Sequence, residues 1–496
     1  MKITLVPRAA PSDRLRVWIG VQAQQQPALT WRLDGQALPA ARVRPLRDIS
    51  SVIPQPLLGG QPARNFAGVF ELSGLAAGTA YVVAVDANDG ASSERAELRT
   101  RTLPAEVPGM LDRPFNVLLV SCFHQAEDRS GHAGIVAGQL TGPARPDLTL
   151  LLGDQVYLDL PTIADFPDDS AGLAAKFESD YRTNWQGEAG YTRILTLAPS
   201  ASLPDDHEYW NNFPHRSPII QNSWKEGGRE NWTTAAAALY GAFQFDYEPR
   251  TYLHHDAEQP GDARVIDVEP LSFFLADSRS GRDYDRASVL TRRGFEQLEH
   301  WVQETTTKRR VGIFITGQSM LDARAGWWEG TVADYLMPNY DDFGNITGQL
   351  GRIAEAGLPM VLITGDVHWG RVTEARDVRS GRRSIFEIIS SPTSLVSTVG
   401  SDQLTSIWTK VKPDADPWPR HSNPAQVPKF LWSDGLGKRF ACAQVHPQRG
   451  NHVALLSFTR SGAGVRLRTT YYPIHEDLAQ RTPVGLPEIS LTPELA

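Results

Sequence analysis

Acidic, imidazole, amide and thiol side chains recur in this chain directly after short apolar runs. FNVLLVSC closes on Cys122, LTLLLGD on Asp154, SASLPDDH on Asp206 and His207, FFLAD on Asp277, GIFITGQ on Gln318, and VLITGDVH on Asp366 and His368. Open α/β sheets keep their chemistry beyond the carboxyl ends of their strands, so polar groups placed there repeatedly point to one shared site. Asp and Gly also end strands for conformational reasons alone. Six ends that include Cys, His and paired Asp favour a site.

The chemistry these residue types suit is two-metal hydrolysis. It needs a carboxylate bridging both ions, further hard or imidazole ligands, and a group that steadies the leaving oxygen. Asp154 in GDQVY is the natural bridge, because Gly153 permits a tight exit from a buried strand and a carboxylate has two oxygens to share. Tyr157 can swing a phenolate toward one ion. Together with Cys122 it favours a trivalent, iron-like ion over magnesium, which prefers oxygen ligands and retained waters. Asp366 and His368 alternate along an extended segment, so they need local bending or different depths to address adjacent ions. Asp205-Asp206-His207-Glu208 adds a carboxylate and a histidine for the second ion, with Asn211 and Asn212 following.

Such a centre needs a scaffold, and the composition permits one. A length of 496 residues suggests about two to four units, and 41% hydrophobic with 21% charged residues is a globular balance. The two cysteines, Cys122 and Cys442, indicate no disulfide framework; Cys442, in RFACAQV, reads as a core thiol. The net charge of −8 is mixed rather than blocked, which argues against a strongly electrostatic nucleic-acid binder. No stretch reaches the ~18 apolar residues needed to span a bilayer, and the start carries neither an apolar leader core nor a twin arginine. The sequence as given is expected to be cytoplasmic, with export the outcome if a leader has been trimmed. Nothing in it fixes an oligomeric state.

The first hundred residues read as short strands between turns: RLRVWIGV, ALTWRLDG, GVFELSGL, AYVVAVDA and AELRTRTL. That is a small antiparallel sandwich over residues 1–106, and Tyr81 sits as in the tyrosine corner of immunoglobulin-like and fibronectin type III domains. Pro104, Pro108 and Pro114 mark a linker. From Phe115 strands alternate with helical stretches, the sign of an α/β core over 107–496. Leu173, Phe177 and Tyr181 follow helical spacing; so do Phe295, Leu298 and Val302 behind a Thr291 cap, and Ile346, Leu350 and Ile353 before Gly357. Aromatic-rich insertions occupy about 320–342, including Trp327 and Trp328, and about 400–440. HVALLSFTRSGAGVRLRTTYYPI is a hairpin with Ser461-Gly462 in its turn region.

In this order SCFH, GDQVYLD, DDHEYWNN, LADSRSGR, TGQSM and GDVHWG resemble the alkaline phosphatase D (PhoD)-like branch of the calcineurin-like metallophosphoesterases, over about residues 115–395. The resemblance implies an α/β four-layer (α-β-β-α) metallophosphoesterase domain behind the N-terminal all-β immunoglobulin/fibronectin III-like sandwich. It implies Cys122, Asp154, Tyr157 and His368 around a first metal, Fe3+. Asp154, Asp206 and Asp366, with Asn212 as a further ligand, would hold a second, Ca2+ or another divalent ion such as Mn2+, Mg2+ or Zn2+. His207 falls where the superfamily places the histidine that approaches the phosphate and leaving group, as proton donor or transition-state stabiliser.

Arg279, and after it Arg282, suit nonbridging phosphate oxygens, since guanidinium matches phosphate geometry. Asp277 would orient Arg279 or a ligand, and Gln318 would hydrogen-bond a metal-bound water. Two departures stand out. His124 follows Cys122 where the branch often has Gln directly after Cys, and the superfamily's separate metal-binding histidine has no clear counterpart. His254 and His255 follow no strong strand and are read outside the shell. The expected reaction is hydrolysis of a small phosphomonoester or phosphodiester by in-line attack of a metal-bound hydroxide. The alternatives are a single-metal ester or amide hydrolase, and an inert site beside a partner-binding sandwich.

Overall fold

The computed structural model describes residues 1–38, 46–49, 55–56, 62–109, 113–128, 130–161, 166–187, 190–218, 220–245, 261–321, 335–365, 368, 370–377, 383–395 and 440–494. Asp366, His254, His255, Trp327 and Trp328 lie outside the described residues, as does nearly all of the 400–440 insertion.

Three strands, Phe115–Val120, Leu148–Leu152 and Ser200–Leu203, run parallel side by side, and every residue in them is buried. Strands covered on both faces have no reason to alternate polar with apolar residues, which is why the first two read as nearly continuous apolar runs. The expected hairpin, His452–Ser461 with Gly464–Pro473, joins the same sheet antiparallel to Phe115–Val120. A second sheet holds Leu271–Leu275, Val311–Ile315, Met360–Thr364 and Arg383–Ile389 in parallel. Antiparallel strands Arg264–Val268, Gly370–Asp377 and Phe440–Gln448 complete it.

The two sheets bury their facing sides against each other. Val117, Leu119, Leu150 and Leu152 of the first meet Phe273, Ile313, Ile363 and Ile388 of the second in one core. Helices Ser170–Gln186 and Glu226–Phe243 form another core on the first sheet with Leu173, Phe177, Tyr181 and Trp232. Helices Arg292–Thr307 and Phe343–Glu355 build a third on the second sheet with Leu298, Trp301, Ile346 and Leu350. The helix starts are written locally: Asp169 accepts the Gly172 N–H, and Thr291 accepts the Gly294 N–H at 2.9 Å. The result is a mixed α/β fold of several sheets.

In the N-terminal part, Lys2–Arg8, Arg14–Ala23 and Pro62–Ser73 pair antiparallel. They share a core with a four-stranded sheet made from Gln36–Ala37, Ala28–Leu33, Ala80–Asn88 and Ser93–Arg101, where Trp31 stacks on Phe70 at 4.1 Å. The Tyr81 hydroxyl accepts the Ala76 N–H at 3.0 Å, tying the crossover to the strand that follows. These strands continue into the site-bearing sheet, because Arg8 pairs in parallel with Ser200. The buried Arg8 guanidinium reaches the Ser200 and Ser202 hydroxyls and the Phe243 carbonyl, and the Trp18 indole donates to the Ala242 carbonyl at 2.8 Å.

His452, fully buried edge-on to Tyr471 with its Nδ1 2.7 Å from the Gly450 carbonyl, makes stability pH-dependent. Burial pushes its pKa down from 6.5 to about 4. Between those values the unfolded chain binds a proton that the folded chain refuses, so stability present at neutral pH is lost as the pH falls. On chemical unfolding at pH 7.5 and 4.5, His452→Asn is expected to lose about 2 kcal/mol less on acidification than the parent.

Candidate metal centre and active site

The parallel strands of both sheets discharge their polar residues into one region. Gly153 leaves its strand at φ 98, a left-handed turn no other residue type makes easily, and a Cβ there would lie 2.5 Å from the Asp205 Cβ. At Gly365 a Cβ would lie 2.6 Å from the Leu152 carbonyl and 2.4 Å from the Ser121 hydroxyl. Gly153 thus lets two loops of the first sheet approach closely, and Gly365 lets a loop of the second sheet close onto the first.

Left-handed backbone marks the same place. Of seven non-glycine residues with positive φ among the described residues, four are candidate ligands: Cys122 (51), Asp154 (55), Asn212 (70) and His368 (58). Residues with a Cβ adopt this conformation at a cost of about 1–3 kcal/mol each, and such strain gathers at functional sites. His368 thus departs locally from an extended segment.

Ligand atoms of Cys122, Asp154 and His368 all lie within 4.8 Å of one another, and so do those of Asp154, Asp206 and His207. Asp154 belongs to both groups. Its carboxylate, fully buried, stands 3.3 Å from the Cys122 Sγ through one oxygen and accepts the His207 N–H at 3.2 Å through the other. Asp206 accepts the Asn212 N–H at 2.8 Å, which brings Asn212 to the second group through its backbone. The Tyr157 ring lies between those of His207, 4.3 Å away, and His124, 5.4 Å away.

His207 does not stand alone. Its Nδ1 lies 2.8 Å from Asp159, whose other oxygen accepts the Asn211 N–H at 2.7 Å. Burial pushes the imidazole pKa down, but Asp159, Asp206 and Asp154 outweigh it and raise it well above its ordinary value. Sequence reading gave Asp159 no role, although it closes the quoted GDQVYLD motif. Glu208 was missed as well. Its buried carboxylate accepts the backbone N–H groups of Asp154 (2.8 Å), Gln155 (2.7 Å) and Asp205 (2.8 Å), together with the Gln244 amide (2.9 Å). It bolts together two loops that carry candidate ligands, and the Asp205-x-x-Glu208 spacing of a capping box was its available signal.

The remaining candidates form the wall. Arg279 is fully buried, with Nε 2.6 Å from Asp205 and Nη1 donating to the Phe213 carbonyl at 2.8 Å. Asp277 accepts backbone N–H groups of Gly261, Arg279 and Ser280, so it shapes the Arg279 loop. Gln318 accepts from Arg282 at 2.8 Å, and Arg282 also donates to the Ser278 and Tyr335 carbonyls.

A seventh strand end escaped notice. Beyond Arg383–Ile389, the Ser391 hydroxyl lies 3.1 Å from the Cys122 Sγ, while the N–H groups of Thr393 and Ser394 donate to the Ser121 and Cys122 carbonyls at 2.7 and 3.0 Å. SSPTS looks like an ordinary turn in sequence; its only signal was its place after the apolar run IFEII. Cys442 is a buried core thiol, its pKa pushed up to about 12 by burial.

No family model matches the chain, and no curated protein matches it. A solved structure of PhoD superposes with a TM-score of 0.60 at 13% identity, covering 99% of this chain and 92% of that chain, so the two share a fold. GAP50, the anchor in the inner membrane complex of Plasmodium, aligns at 9% identity and a TM-score of 0.38, over 77% of this chain and 90% of that chain, too loosely to bear on the fold. Among the described residues no helix is long and apolar enough to cross a membrane.

Proposed function

We propose that this chain is a metal-dependent hydrolase of small phosphate esters, monoesters or diesters, of the PhoD-like metallophosphoesterase kind. On this reading residues 1–106 form the sandwich and 107–496 the four-layer catalytic domain, a layering that the three separate cores support. The observation that carries the function is Asp154, common to two convergent groups of metal-binding donors.

The donor sets fit two unlike ions. Thiol, carboxylate and imidazole from Cys122, Asp154 and His368, with Tyr157 close by, suit Fe3+; Asp154 and Asp206, with Asn212 and the expected Asp366, suit Ca2+ or another divalent ion. Bound there, the ions would supply Lewis acidity that neutralises charge developing on phosphorus. The chain's own residues do the rest. Asp159 occupies Nδ1 of His207, which leaves Nε2 to carry a proton toward the leaving oxygen. Arg279 enters this reading through Asp205, which it holds in place, rather than through the phosphate.

His207→Asn is expected to keep both metals while slowing phosphate-ester turnover about 10²–10⁴-fold, the usual worth of a positioned acid. Asp159→Asn should slow it about 10–100-fold by releasing the ring. Metal analysis and steady-state kinetics on the same preparations check both. Undiminished turnover in His207→Asn would remove the histidine from the reaction.

A further inference from the structure

Beside the ligand groups, four arginines lie against aromatic rings, three along one connected surface and the fourth, Arg282 on Tyr340, buried beneath it. Arg216 covers Trp224 at 5.5 Å, Arg229 covers Tyr284 at 5.5 Å, Arg286 covers Tyr335 at 4.8 Å and Arg282 covers Tyr340 at 4.9 Å. His215 knits the rings together, 5.4 Å from Tyr284 and 4.7 Å from Tyr335, with its Nε2 3.1 Å from the Tyr340 hydroxyl. The Trp224 indole donates to Ser217 and Arg229 donates to Ser223, so the two ends of the surface are tied through one short stretch of chain.

Three features set this surface apart. Trp224 and Tyr284 are the aromatic side chains among the large exposed hydrophobic residues of the described chain, at 52% and 42% exposure. Arg216, Arg229 and Arg286 make no ion pair with a carboxylate among the described residues. Two nearby carboxylates accept from the backbone instead: Asp283 from the Asp285 N–H, and Asp342 from the Val289 N–H at 2.9 Å. Arg286 also holds a left-handed backbone at φ 62. The surface is wired to the site twice, by the His215 N–H on the Asn212 carbonyl and by Arg282 on Gln318.

A guanidinium laid on a ring keeps its N–H edge free to pair with phosphate oxygens. An exposed ring face stacks on any planar base. Alkyl phosphates use only the first of these and neutral aromatics only the second. We propose that this surface is the leaving-group subsite of the hydrolase, and that it selects nucleotide-type phosphodiesters by stacking a base on Tyr284 or Trp224 and holding a further phosphate on Arg216, Arg229 and Arg286. The hydrolytic part of this statement rests on the phosphoesterase reading. The chain's net charge of −8 suits a ligand of one or two nucleotides rather than a polymer.

Calorimetric titration of the full chain with AMP and with ribose 5-phosphate separates the two contributions. AMP should bind about tenfold more tightly, and Tyr284→Ala with Arg229→Ala should erase the difference while Tyr284→Phe keeps it. The same double variant should lower kcat/KM about tenfold for the 5′-phosphorylated dinucleotide pApA and leave that for glycerophosphoglycerol unchanged. Equal binding of AMP and ribose 5-phosphate, or an unaffected double variant, would overturn the subsite. Selective AMP binding without turnover of any phosphate ester would support the subsite and overturn the hydrolase reading instead.

Discussion

Asp154→Asn is expected to remove bound metal and phosphate-ester turnover together, with turnover falling about a thousandfold or more. The substitution preserves shape, so its effect isolates charge and the second oxygen. Asp154 is the residue shared by the two donor groups, and it is held rigidly: fully buried, left-handed, with one oxygen toward Cys122 and one on the His207 N–H. An amide can offer one neutral oxygen where a bridging position calls for two anionic ones. Far-ultraviolet circular dichroism should stay that of the parent, which separates this loss from unfolding. Asp206, by contrast, is assigned to the second ion alone, whereas its neighbour His207 is assigned to the leaving oxygen, so Asp206→Asn is expected to release one ion and retain the other. Parent-like turnover in Asp154→Asn would sink the two-metal assignment.

Glu208→Ala is expected to cost about 4 kcal/mol of stability and to slow turnover about a hundredfold. Removing its carboxylate strands the N–H groups of Asp154, Gln155 and Asp205, with the Gln244 amide, in the interior. Each buried donor left without an acceptor costs about 1–3 kcal/mol, less what relaxation or an entering water recovers. The kinetic effect follows because the same bonds fix the Asp154 loop against the Asp205-Asp206-His207 loop. Glu208→Gln, which keeps one acceptor oxygen, should recover part of both losses. Urea unfolding measures the first effect and steady-state kinetics the second. A stability loss under about 1 kcal/mol for the alanine variant would show that the two loops are held by something else.

The six strand ends were legible because buried parallel strands need not alternate, so a largely apolar run that stops at Gly-Asp or at a polar cluster announces both the strand and its edge. Helix positions followed from caps such as Thr291 and from stripes such as Leu173, Phe177 and Tyr181, all of which are buried as the spacing required. What stayed hidden depends on direction and on contacts distant in sequence. An arginine after a strand reads the same whether it faces a phosphate or, like Arg279, an interior aspartate. The N-terminal strands join the site-bearing sheet through the pairing of Arg8 with Ser200, residues 192 positions apart. Asp159 and the SSPTS loop use residue types that also fill ordinary turns, and the left-handed backbone at Cys122 and His368 contradicts what those residues prefer locally. The functional reading therefore came from residue types at strand ends, whereas the parts that aim and brace them required the folded chain.

Elemental analysis of protein purified without chelator, followed at once by phosphate-ester turnover on the same sample, is the most direct test of the two-metal proposal. Two ions per chain are expected, one of them iron with visible phenolate absorption from Tyr157, and turnover that is lost on chelation and restored by metal. A colourless, metal-free preparation that hydrolyses phosphate esters at the full rate would contradict it.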